Sequence, residues 1–216
     1  MLVLAIDTAS VFCAVCLFNN NRILAEKCDN IGKRHAEYLI GQIATVIEKG
    51  QKSLTDIDHI GINIGPGSFT GERIGISVAR GLALALDRPA IGISAFEALA
   101  FEAAEQYKNH PVSVVFEAYR EKLYIQHFDI HNRKTCEPRV DTAERIIPEL
   151  VPASVLTGSG AQKIAQITQH PVANTAPTAS IATYAFLSTR KIFTETRPFQ
   201  APCPLYIRTM ATGSRN

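Results

Sequence analysis

No run of lysines or arginines interrupts this 216-residue chain, and its formal net charge is only +2. Tight direct binding to DNA or RNA is therefore not expected, because it is carried by clustered cations. No apolar run reaches about 18 residues, so no membrane span is expected. Met1 leads directly into an apolar segment without a basic lead-in, so no signal peptide is expected. Five cysteines (Cys13, Cys16, Cys28, Cys136, Cys203) are odd in number and scattered. That suits reduced, buried thiols in a cytoplasmic protein better than a disulfide frame. Cys13-x-x-Cys16 has a redox spacing, but residues three apart on a strand face opposite sides. What remains is an ordinary globular composition, 46% hydrophobic with mean hydropathy +0.05. The length allows one large domain or two small ones.

The most distinctive stretch is Gly65-Pro66-Gly67-Ser68-Phe69-Thr70-Gly71-Glu72-Arg73-Ile74-Gly75. It joins an apolar run, His59 to Ile64, that reads as a buried strand, to an Ala- and Gly-rich run, Ile74 to Leu86, that reads as a helix. A glycine-dense turn there lets the backbone approach a partner closely. The free N–H groups of the helix start would suit a phosphate or carboxylate. Gly65, Gly67, Ser68, Thr70 and Gly71, with Asp7 nearby, form this candidate anion site. The alternative is a tight connection whose glycines serve packing, with Asp7 bracing the loop by hydrogen bonds.

Around this stretch the elements fall in a regular order. Met1 to Thr8, Val11 to Phe18 and Ile23 to Cys28 read as three strands in antiparallel hairpins, the first pair of strands ending at the turn Asn19-Asn20-Asn21-Arg22. Ala36 to Lys49 reads as a helix closed by Gly50 as a left-handed cap. Its apolar residues span more than one stripe, so two buried faces are expected. In the next helix Gly75, Ala79 and Ala83 lie four apart and permit close approach. Ala90 to Ile93 is a short strand, and Ser94-Ala95-Phe96-Glu97 is a capping box opening a third helix. The pattern then restarts. Val112 to Glu117 and Leu123 to Ile130 read as a hairpin, Ser154 to Thr157 as a strand, Ile164 to Ile167 as helix, and Ile181 to Phe193 as a last helix capped by Ser180. The tail from Arg197 is extended.

Two copies of β-β-β-α-β-α-β-α suggest an α/β chain of the duplicated ribonuclease-H-like class, the ASKHA fold of actin, Hsp70 and sugar kinases. The expected lobes are 1–108 and a reduced 109–216. Leu4-Ala5-Ile6-Asp7-Thr8, Arg34-His35-Ala36-Glu37, the run from Gly65 through Leu86, Ala90-Ile91-Gly92-Ile93-Ser94 and Pro204-Leu205-Tyr206-Ile207-Arg208 together resemble the bacterial tRNA threonylcarbamoyladenosine-biosynthesis family TsaB, formerly YeaZ. The resemblance is dense in the first half and thin in the second. It implies a non-catalytic subunit without a cofactor. Such a subunit pairs with the catalytic paralogue TsaD, works with the ATPase TsaE, and meets tRNA only through the complex. It also implies that the first two helices form the pairing surface, and a homodimer when TsaD is absent. His35, Leu39, Ile40, Ile43, Val46, Ile47, Ile74, Val78 and Leu82 are the interface residues this implies.

Several residues weigh against catalysis. A catalytic paralogue would carry two metal-binding histidines four apart on the first helix. Here Leu39 follows His35 at that spacing, so no metal is expected there, and His35 reads as a helix-start residue with local hydrogen bonds. His127, Asp129 and His131 alternate and would share one strand face. That composition suits a divalent ion, or a polar edge strand. Glu117-Ala118-Tyr119-Arg120-Glu121-Lys122 occupies the second-half hairpin without a glycine, where the family shows Asp-Ala-Arg-x-Gly-Glu. Ser68 and Thr70 lack a base in any recognisable motif, so a nucleophilic serine is not expected. The rival readings are an ATP-dependent phosphotransferase of the sugar-kinase class and a stand-alone metallohydrolase.

Overall fold

The computed structural model describes residues 1–196 and 198–207. Strands β1 (Leu2–Asp7), β2 (Phe12–Asn19) and β3 (Arg22–Asn30) form the antiparallel start of the first sheet. Asn20 and Asn21 turn the second hairpin at φ of 47° and 60°, a conformation asparagine tolerates. Helix α1 (His35–Lys49) leads to β4 (His59–Asn63), α2 (Phe69–Leu86), β5 (Ala90–Ile93) and α3 (Ala95–Gln106). The sheet order is β3-β2-β1-β4-β5, with β4 and β5 parallel to β1.

The second half repeats this plan on a smaller scale. It comprises β6 (Val112–Glu117), β7 (Leu123–Phe128), β8 (Arg139–Asp141), α4 (Ala143–Ile146), β9 (Val155–Thr157), α5 (Ala161–Thr168), β10 (Val172–Asn174) and α6 (Ile181–Thr194). Its sheet runs β8-β7-β6-β9-β10, the same order as the first. Three of these strands have only three residues. Of these, β9 matches the expected strand Ser154 to Thr157, whereas β8 and β10 carry too little period-2 pattern to be read from sequence.

The described residues form two compact units, one within Met1–Ala98 and Thr178–Leu205, the other Leu99–Pro177 with Tyr206 and Ile207. The sequence reading gave everything after residue 108 to one lobe. In the structure α6 packs instead on the first sheet, against β1, β2, β4 and β5. Gly61 makes this possible, since a Cβ there would crowd Ser188 Oγ. The first sheet is therefore covered on both faces. Leu2, Leu4 and Ile6 meet α1 and α2, and Val3 and Ala5, on the opposite side of the strand, are equally buried. Cys13 and Cys16 are both buried and free, and burial pushes each thiol up to about 12.

Two local details differ from expectation. Helix α2 begins at Phe69, not Ile74, because the Ser68 hydroxyl accepts from Gly71 N–H and caps it. Gly50 is right-handed at φ −76°, and Gln51 takes the left-handed position. Gly50 is small because a Cβ there would collide with Leu17. The capping box holds: Ser94 N–H donates to Glu97 and Glu97 N–H to Ser94 Oγ. In the tail, Leu205 N–H donates to the Ile64 carbonyl. Arg197 and Arg208 lie outside the described residues. No helix among the described residues is long and apolar enough to cross a membrane.

Candidate partner interface and the glycine turn

The glycine turn closes on its own chain. Strands β1 and β4 run parallel and end side by side at Asp7 and Asn63. Asp7 is buried, and its carboxylate accepts from Ala9 N–H (2.8 Å), Asn63 Nδ2 (2.9 Å) and Thr178 Oγ1 (2.5 Å). Burial pushes the Asp7 pKa up, and these three hydrogen bonds oppose the rise. Asn63 Oδ1 then accepts Gly65 N–H at 2.9 Å. Ser68 N–H donates to the Ala9 carbonyl at 2.6 Å, and Thr8 Oγ1 donates to the Gly71 carbonyl at 2.7 Å.

Here the glycines have a local cause. Gly65 sits at φ +99°. A Cβ on Gly67 would run into the Ala9 carbonyl, and one on Gly71 into the Thr8 carbonyl. The close partner of the turn is thus the Asp7-Thr8-Ala9-Ser10 corner. These contacts support the packing alternative over an anion held by Asp7, Gly65, Gly67, Ser68, Thr70 and Gly71. The atoms that approach Gly67 and Gly71 are carbonyl oxygens, which repel an anion. The Ser68 hydroxyl and Ser68 N–H are already engaged. Thr70 lies in the first turn of α2, exposed.

The two expected interface helices each divide into an inner and an outer face. On α1, His35, Leu39, Ile43 and Val46 are buried against the first sheet. His35 Nε2 lies 3.1 Å from the Phe12 carbonyl. These four are core residues, so they are withdrawn from the interface set; the sheet under α1 fills that stripe. Ile40 stands outward at 59% exposure. Ile47, Ile74, Val78 and Leu82 are half-buried and pack on the edge of the core. Two residues outside the expected set join them: Phe69 and Leu84, exposed by 60% and 86%. Once α2 starts at Phe69, residues 69, 73, 77, 80 and 84 fall on one outer face. That spacing was readable, but the late helix start hid it. The Arg73 guanidinium lies 3.6 Å from the Phe69 ring centroid. Ala36, Phe69, Thr70, Arg73, Ile74, Ser77 and Val78 line a shallow groove here.

The other candidates separate. His127 lies on β7 with Nδ1 2.9 Å from Ser113 Oγ. Asp129 and His131 lie past the strand end, where Asp129 accepts from His131 N–H and Arg133 N–H. The alternation along one strand face is therefore absent. Among the described residues no group of three or more His, Cys, Asp or Glu could hold a metal. The hairpin from Glu117 to Lys122 closes through Ala118 N–H to the Lys122 carbonyl, with Arg120 and Glu121 left-handed at φ of 57° and 59°.

Two sheets sharing one strand order, each three antiparallel strands followed by two parallel ones, define a duplicated ribonuclease-H-like protein of the actin, Hsp70 and sugar-kinase class. Component A of (R)-2-hydroxyglutaryl-CoA dehydratase from Acidaminococcus fermentans shares this fold. Its TM-score is 0.56 at 12% identity, over 88% of this chain and 98% of that one. YeaZ from Pseudomonas aeruginosa superposes with a TM-score of 0.81 at 26% identity, over 95% of this chain and 99% of that one. Residues 23–195 match the family TsaD, tRNA N6-adenosine threonylcarbamoyltransferase. Over 102 residues the chain is 40% identical to the tRNA threonylcarbamoyladenosine biosynthesis protein TsaB of Escherichia coli, covering 46% of this chain and 43% of that one. The chain belongs to this threonylcarbamoyltransferase family, in its TsaB (YeaZ) branch. The matched segments span about half the length of the curated relatives.

Proposed function

We propose that this chain is a non-catalytic subunit in the biosynthesis of threonylcarbamoyladenosine on tRNA. It holds a TsaD paralogue in a competent state and helps recruit the ATPase TsaE, in the cytoplasm. It reaches tRNA only through that complex, and forms a homodimer when alone. The observation that carries the reading is the outward side of α1 and α2, where Ile40, Phe69 and Leu84 stand exposed and Phe69 lines a groove with the half-buried Ile74 and Val78. Apolar side chains gathered on one face of two adjacent helices suit the equivalent helix pair of a related chain. The non-catalytic role is further supported by His35, which is buried on the Phe12 carbonyl with an apolar core residue, Leu39, one turn on.

The rival phosphotransferase reading has less support. In the first half, Gly67 and Gly71 face the chain's own carbonyls and Gly65 faces the Glu72 side chain, and the second-half hairpin holds no glycine to cradle a phosphate. The test is co-purification with the TsaD paralogue of the same organism, followed by tRNA modification with and without this chain. Pairing, and modification that depends on this chain, are expected. No pairing, or turnover of Mg-ATP by the isolated chain, overturns the reading.

A further inference from the structure

Two acids are buried near the head of α2. Glu72 is 6% exposed and Asp7 2%. Among the described residues neither takes part in a salt bridge. Glu72 occupies the hollow left by the missing side chain of Gly65, where a Cβ would collide with Glu72 Oε1. Gly67 N–H favours the ionised form of that carboxylate. Glu72 therefore sits directly against the Gly65 end of the Gly65–Gly67 turn. Two charged groups face it. Asp7, at the end of β1, has the same sign; Arg73, next along α2, has the opposite sign but extends over the Phe69 ring. Lost hydration outweighs the help from Gly67 N–H and Arg73, and holds Glu72 at about 7.

We propose that Glu72 is a proton-operated latch that fastens the Gly65–Gly67 turn to the first turns of α2. With its proton, the side chain is a neutral acid seated under the turn. Without it, a bare carboxylate beside Asp7 has lost water and gained no ion pair among the described residues, so opening toward solvent is favoured. The acid's closed-state pKa lies above its ordinary value of 4.5. The closed form therefore binds more protons between about 4.5 and 7, and it loses stability as pH rises through that window. Above it the loss is complete. The latch is a property of the isolated chain and does not depend on which partner it meets.

Amide hydrogen exchange on the whole chain tests this, with rates corrected for intrinsic base catalysis. Opening at residues 67–71 should become about tenfold more frequent between pH 6 and pH 8, and Glu72→Gln should remove that pH dependence. An unchanged profile in the variant overturns the latch. Carbon-13 titration of the wild-type carboxyl groups gives a second reading that needs no variant. One glutamate with a midpoint near 7 is expected. Every glutamate titrating below about 5 overturns the proposal.

Discussion

Thr178 Oγ1 lies 2.5 Å from Asp7 Oδ2, although 171 residues separate them. Thr178 also meets the Tyr184 hydroxyl at 2.8 Å, on α6. One carboxylate thus joins β1, the end of β4 through Asn63, and the segment that brings α6 back to the first sheet.

Removing that carboxylate should be costly. Asp7→Ala leaves the Asn63 amide, the Ala9 N–H and the Thr178 hydroxyl without their acceptor. A loss of about 3 kcal/mol is expected from urea unfolding, against about 1 kcal/mol for Thr178→Val, which removes one bond.

The two faces of α1 can be separated by paired substitutions. Ile40→Asp is expected to keep stability within about 0.5 kcal/mol and to abolish pairing with the TsaD paralogue. Ile43, at 4% exposure, is a core residue. Ile43→Asp should cost more than about 4 kcal/mol, because an unpaired charge enters the core. Leu84→Asp should behave as Ile40→Asp does. Pairing that survives both outer-face changes, read by size-exclusion chromatography, removes α1 and α2 from the interface.

Glycines of α2 should respond oppositely to alanine. At Gly71 the new Cβ meets the Thr8 carbonyl, and a loss of about 2–3 kcal/mol is expected. At Gly81 no atom lies within 4 Å. There alanine should add about 0.5–1 kcal/mol, since helix-interior glycine costs backbone entropy. Thermal melting of both variants distinguishes the cases.

His59 gives stability a pH slope opposite to that of Glu72. Its ring is buried on β4, with Nε2 3.2 Å from Ser188 Oγ, and burial lowers its pKa to about 4. The folded state binds fewer protons than the unfolded state between about 4 and 6.5. Stability from this group is therefore full above 6.5 and is lost as pH falls toward 4. His59→Gln should flatten that part of the urea-stability profile. An unchanged slope would show that His59 is not its source.

The first half was legible because its signals are dense and local. Alternating apolar strands, the asparagine turn at Asn20-Asn21 and the Ser94 capping box each declare themselves within a few residues. The second half was legible at β6, β7, β9 and α6. Strands of three residues such as β8 and β10 offer no period to read, and α4 is barely one turn. The candidate interface was half legible. A wide apolar surface on α1 was visible, but Leu39 and Ile40 look alike in sequence, and only the underlying sheet tells inner from outer. Phe69 was missed because the helix was started five residues late.

The element order of the first half, the fold class and the outline of the repeat were determined by the residues alone, since hydrophobic period, caps and turn residues act over a few positions. Contact between distant residues decided the rest. Gly67 is small because Ala9 approaches it, Gly61 because α6 does, and Ile43 is inside because the sheet lies beneath it. Such facts depend on which surfaces meet when the chain folds, and no local pattern encodes them.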